Sequence, residues 1–208
     1  MRTTKLAVAA LSAAALLASL AGSASARNFS VTNRNFRVTW TPLITAEPFG
    51  FFSVRCNVTM EGSFHENTIP KVLESLIGYI TRAIASHPCT NGEGWVWNGS
   101  EGALTGASSL PWHMRYAGFT GTLPGITGIE IHLIRPKISI NNGICLGTYQ
   151  PESHGATINV LTDRSSTITL GTESMSAIEG NCPSGRFGGT SNRITLLGTT
   201  TAISVSLI

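Results

Sequence analysis

The side chains of this 208-residue sequence best suited to moving protons or holding a metal are five histidines and eleven acidic residues, of which Asp163 is the only aspartate. The histidines, His65, His87, His113, His132 and His154, are scattered. None forms a His-Glu-x-x-His helix or a pair at strand or helix ligand spacing, so no metal and no cofactor are expected. Three acid/base pairings are conceivable: His65 with Glu66, Glu130 with His132 on one strand face, and His113 with Glu93 or Glu101. A solvated polar face explains the first two as well. The scarcity of aspartate weighs against calcium loops and Ser-His-Asp triads, which rely on its short side chain. No G-x-S-x-G elbow, phosphate-binding loop or dinucleotide fingerprint is present. The Gly- and Ser-rich stretch 180–191 lacks a Gly-Asp-Ser-Gly motif and reads as a disulfide-tethered turn.

Side chains suited to recognition concentrate between Gly92 and Tyr116. Trp95 and Trp97 sit among glycines, and Leu110-Pro111-Trp112-His113-Met114-Arg115-Tyr116 follows. Alternation from Trp112 would put Trp112, Met114 and Tyr116 on one face and His113 with Arg115 on the other. Trp95, Trp97, Trp112, His113, Arg115 and Tyr116 are therefore the candidate binding residues, with the indoles able to stack on sugar faces. The competing reading places these rings in the core, where large aromatics bury much area.

Most of the chain that must position these groups has a period of two. Phe52, Val54, Cys56, Val58 and Met60 alternate with polar residues, and Phe36/Val38/Trp40, Ile129/Ile131/Leu133, Ile158/Val160, Ile194/Leu196 and Ile203/Val205/Leu207 repeat the pattern. Pro48-Phe49-Gly50, Asn91-Gly92, Pro124-Gly125, Asn142-Gly143 and Gly188-Gly189 punctuate it. Many short strands with Gly-rich turns predict a mainly β, single-domain sandwich or barrel-like antiparallel sheet. One segment departs: Ile69, Val72, Leu73, Leu76, Ile77, Ile80 and Ile84 recur at steps of three and four. With Thr68 as cap and Pro70 in the first turn, this predicts one amphipathic helix over about 68–86. Gly78 would let its backbone lie close to the sheet. The terminal strand 203–208 is expected to pair rather than dangle.

The address comes from the first 26 residues. Arg2 and Lys5 precede a charge-free apolar run from Leu6 to Leu20, and Ala24-Ser25-Ala26 has the form of a cleavage site, so 1–26 is expected to be a removed secretory signal and 27–208 one domain. Loss of Arg2 and Lys5 lowers the formal charge from +3 to +1, which implies no nucleic-acid partner. Four cysteines, Cys56, Cys89, Cys145 and Cys182, more than thirty residues apart, read in an exported chain as two disulfides. Sequential pairing, 56 with 89 and 145 with 182, is preferred because each bond would staple a local excursion.

Cys56, Gly62-Ser63-Phe64-His65, Lys71, Gly78, Cys89, Leu110-Pro111-Trp112-His113, Tyr116 and Gly121-Thr122-Leu123-Pro124 together resemble a pattern that recurs in small exported bacterial proteins of uncharacterised function. That resemblance covers the middle third of the chain and implies a secreted β-rich domain, with no activity attached. The expected role is non-enzymatic: a secreted or cell-surface binding or envelope protein, its partner a cell-envelope glycan or surface component. A secreted hydrolase using Glu and His, and a β-barrel pore or lipid carrier, are the alternatives.

Overall fold

A computed structural model describes residues 28–46, 53–98, 108–123 and 125–208. The expected signal segment 1–26, the turn Pro48–Gly50 and Glu101 lie outside the described residues. In chain order the strands are β1 (Phe29–Val31), β2 (Asn35–Ala46), β3 (Ser53–Phe64), β4 (Thr68–Ile69), β5 (Leu76–Thr90) and β6 (Glu93–Val96). There follow β7 (Trp112–Thr122), β8 (Gly125–Ile134), β9 (Ile138–Asn141), β10 (Leu146–Tyr149), β11 (Ser153–Val160) and β12 (Ser166–Leu170). The last are β13 (Ser174–Met175), β14 (Ala177–Gly180), β15 (Gly185–Arg193), β16 (Thr195–Leu196) and β17 (Val205–Leu207).

Alternation decides which face of each strand turns inward. In β3, Val54, Cys56, Val58 and Met60 are buried while Arg55 and Asn57 are exposed, the pattern of a sheet wet on one side. Eight such strands run in the order β2-β3-β5-β7-β8-β11-β12-β15, every neighbouring pair antiparallel, and β15 pairs back onto β2 through Arg186–Gly188 and Ile44–Ala46. The sheet is thereby a closed barrel. Trp40 reinforces the seam, its indole N–H donating to the Gly189 carbonyl at 3.1 Å. Trp40, Met60, Ile80, Met114, Ile131, Ile158, Ile168 and Phe187, one from each strand, are all buried in one continuous core. On the wet side, Glu61 bridges Arg37 and Arg82 on the two flanking strands.

Two small sheets flank the barrel. Strands β17-β1-β4 pack one end, where Phe29 is buried with its ring 6.1 Å from Tyr116 and 6.2 Å from Phe119. The C-terminal strand is thus paired, as its composition predicts. Strands β14-β10-β9-β6 pack the other end as a lid, their Val96, Ile138 and Ile140 facing Val58, Met60 and Phe187 across a narrow apolar crevice. Both disulfides follow the preferred pairing, Cys56–Cys89 and Cys145–Cys182.

The expected helix over 68–86 is a correction. Its residues form the short β4, a loop and most of the long β5, and the described residues contain no helix. The residues that give the helical spacing do not share one face of β5: Ile77 and Ile80 are buried, Ile84 is half-buried and Leu76 exposed, and a β-bulge breaks the alternation. Gly62 opposes Ile80 and Glu61 opposes Arg82, so Thr81 is an extra residue in β5. Period-two burial at Gly78 and Ile80 therefore resumes at Ala83 and Ala85, and the bulge writes a step of three into a strand. The other contributors to the helical pattern, Val72 and Leu73, are 60% and 68% exposed in the loop. Gly78 does mark close backbone approach, but between strands: a Cβ there would lie 2.4 Å from the Ser63 carbonyl oxygen and 2.6 Å from Met114 Cε. Gly78→Ala should therefore destabilise the barrel by about 1–3 kcal/mol through overpacking, read as a lower denaturant midpoint with an unchanged slope.

Candidate functional site

The six candidate binding residues do not assemble into one site. Trp112 is fully buried, its indole N–H donating to Ser109 Oγ, and Tyr116 is buried beside Phe29, so both are core. Trp97 is half-buried in the lid, its N–H given to Ser139 Oγ and its ring covered by Lys137 Nζ at 3.6 Å. Trp95 lines the apolar crevice under the lid. His113 and Arg115 lie on the outer barrel wall, as alternation predicts. His113 packs edge-on against Tyr79, which in turn meets His65. Arg115 pairs with Glu74. Glu93 is not a partner of His113; it bonds His87 at the lid.

One predicted pair does enter a larger arrangement. Glu130 and His132, on the outward face of β8, border a groove of about 260 Å³ on the barrel wall, with Gly155 and Thr157 of β11, Thr169 of β12, Gly171, and Glu173 from the β12–β13 connection. Adjacent strands bring them together: Glu130 opposes Thr157, and Thr157 opposes Thr169. Glycines make the depression. A Cβ on Gly118 would lie 2.6 Å from Glu130 Oε2, and Cβ atoms on Gly155 and Gly171 would lie 2.5 and 2.8 Å from Glu173 Oε1. Missing side chains thus let both carboxylates lie against backbone. Glu173 also accepts the Gly155 N–H at 3.3 Å. His132 is oriented from outside the groove, with Nδ1 3.1 Å from Glu74 Oε1.

Behind Glu173 stands His154, fully buried on the inward face of β11 with its ring 4.3 Å from that of Phe187. Its Nδ1 lies 3.2 Å from Glu173 Oε2, with the backbone of Gly171 and Phe187 beside the ring. Burial holds its pKa below the ordinary 6.5, opposed by the Glu173 carboxylate and the backbone of Gly171 and Phe187. Burial, then the Glu130 carboxylate, pushes the Tyr116 phenol above its usual 10.0.

The groove therefore offers two carboxylates, one imidazole and two threonine hydroxyls, with no lysine or arginine among its lining residues. Such a lining accepts hydrogen bonds and favours positive charge. Sequence reading found Glu130 and His132 but not Glu173, His154 or the glycines, because 43 positions separate Glu130 from Glu173 and only the strand order β7-β8-β11-β12 unites them. No protein-family model, curated protein or solved structure matches the chain.

His154 gives the fold a definite pH dependence. Its folded pKa is depressed, so below 6.5 the unfolded chain takes the proton first and stability falls as pH drops toward the folded value. Between about pH 7 and pH 5 the wild type should lose stability faster than His154→Leu, by at most about 1.4 kcal/mol per pH unit. Parallel urea-melt profiles for the two proteins would refute this assignment.

Proposed function

We propose that the chain is exported with residues 1–26 as its signal, and acts outside the cell or on its surface as a non-enzymatic binding protein. Its wall groove takes an amine-bearing sugar unit of a cell-envelope glycan. The observation that carries this reading is the pair of carboxylates, Glu130 and Glu173, lining one groove together with the Thr157 and Thr169 hydroxyls. A protonated amine on a sugar ring gains charge-assisted hydrogen bonds from such carboxylates, while ring hydroxyls match the threonines. At about 260 Å³ the groove suits a single ring rather than a long chain. Export is supported by the basic, apolar and small-residue order of the leader. The two disulfides are compatible with an oxidising extracellular setting.

The same two carboxylates favour a second reading, a sugar-cleaving hydrolase with Glu and His as acid and base, since glycoside hydrolysis uses a carboxyl pair flanking the bond. The pore or lipid-carrier alternative draws no support from a barrel whose described interior is filled by side chains from every strand.

Calorimetric titration with glucosamine oligomers, and with their N-acetylated counterparts, separates these readings. The amine form should bind, and Glu130→Gln or Glu173→Gln should each weaken it about tenfold or more, the scale of one lost hydrogen bond to a charged group. Equal affinity for the acetylated oligomer, or for both variants, would overturn the proposal. Shortened oligomers after incubation would establish the hydrolase instead.

A further inference from the structure

His132 lines the wall groove, yet its Nδ1 is turned to Glu74, which lies outside the lining. Glu74 Oε1 is 3.1 Å from that nitrogen, and Glu74 Oε2 is 3.7 Å from a guanidinium nitrogen of Arg115. Every element around the ring adds a group. Arg115 of β7 opposes His132 on one side, Gly155 of β11 opposes it on the other with the Glu173 carboxylate against that glycine, and Glu130 is two residues away on β8. Glu74 itself sits on strained backbone. Its φ of 60° is left-handed, a conformation that glycine adopts freely and that costs energy for a residue with a Cβ. The fold pins it there against β7, the Glu74 N–H donating to the Tyr116 carbonyl at 2.8 Å and the Tyr116 N–H to the Ser75 carbonyl at 3.0 Å. A glutamate held where glycine fits better, with its carboxylate on a groove histidine, marks a side chain that is needed.

We propose that Glu74 is a positioning residue that locks His132 as its Nδ1–H tautomer, so that Nε2 meets the groove as an acceptor and the bound sugar must present a hydroxyl donor to it as well as its amine. This rests on the groove reading above and narrows its ligand class. An ionised carboxylate only accepts hydrogen bonds, so the proton shared by Glu74 and His132 belongs to Nδ1. A neutral imidazole protonated there keeps a lone pair on Nε2, and the hydrogen bond at one nitrogen thereby sets the role of the other. With Nδ1 turned out of the groove, the ring reaches it by the opposite edge. Glu130, Glu173 and Nε2 are then acceptors alike, and the threonine hydroxyls adapt to either role. A sugar with an amine and a free hydroxyl answers them with donors. One whose hydroxyl is capped as an ether sets a lone pair against a lone pair, and binding loses a hydrogen bond.

Long-range nitrogen–proton correlation spectra near neutral pH read the tautomer directly, with His132→Phe to identify the ring signals. The wild type should show His132 as the Nδ1–H form. In Glu74→Gly, a change that suits the left-handed backbone and so keeps the fold, the Nε2–H form should appear. Calorimetric titration with methyl glucosaminide and its mono-O-methyl ethers reads the ligand side. One ether should bind the wild type about tenfold more weakly than the parent, the scale of one hydrogen bond, and Glu74→Gly should close that gap although the added methyl is the same. An Nε2–H or doubly protonated His132 in the wild type, an unchanged tautomer in Glu74→Gly, or equal affinity of the wild type for the parent and every ether overturns the proposal. Failure of the parent glucosaminide itself to bind overturns the groove reading and the ligand half of this inference, while the spectra still decide the role of Glu74.

Discussion

An antiparallel sheet that closes on itself has no free edge, and closure makes its inner volume finite. Here the closing pairing between β15 and β2 is only three residue pairs long, yet every other inward position depends on it. With the seam made, each strand must alternate side chains of the right size into one shared core, and all eight strands do so. Trp40 couples the two requirements: its ring fills the core while its N–H bonds Gly189 on the closing strand. The buried indole is satisfied by the pairing that its own packing supports.

Closure also fixes what the outer wall can do. With the interior filled, the barrel's concave surfaces must come from places where outward side chains are missing. Gly118 in β7, Gly155 in β11 and Gly171 just after β12 are such places, and the carboxylates of Glu130 and Glu173 occupy the space they leave. Glycine weakens a strand by removing side-chain contacts, a cost borne here where the wall becomes a receptor for charge. His154 adds a second exception. Its neighbours on the inward face of β11, Ala156 and Ile158, are apolar, and among the described residues it is the one histidine that is fully buried.

Alternation made the mainly β architecture legible in the sequence, because period-two burial survives in β2, β3, β8 and β11 with few interruptions. The cysteine pairing was legible too, since each bond spans one excursion between elements. The helix was not. A single extra residue, Thr81, shifts the buried set of β5 from Gly78 and Ile80 to Ala83 and Ala85, while the isoleucines at 77, 80 and 84 fall at helical steps without sharing a face. Val72 and Leu73 of the loop before β5 completed the illusion. For the site, strand-local logic sorted His113 and Arg115 outward and Trp112 and Tyr116 inward, and it put Glu130 beside His132. It gave no access to Glu173, whose place follows from the sheet order and from the turn after β12.

The disulfides also divide the fold in two. Hydrogen bonds around a closed ring need no covalent help, and neither bond spans the β2–β15 seam. The lid needs help. It has four strands of four residues each, with Ile144, Leu146 and Ile178 turned to solvent, and sheets that short bury little area for the backbone they order. Cys145–Cys182 closes a separation of 37 residues around β10 and β14, and Cys56–Cys89 ties β3 to the end of β5, just before β6. Loops of this size give each bond about 3–4 kcal/mol by restricting the unfolded chain, comparable with what a small sheet lacks. Covalent restraint therefore sits where burial is poorest, and the barrel wall that carries the groove stands on packing and pairing alone.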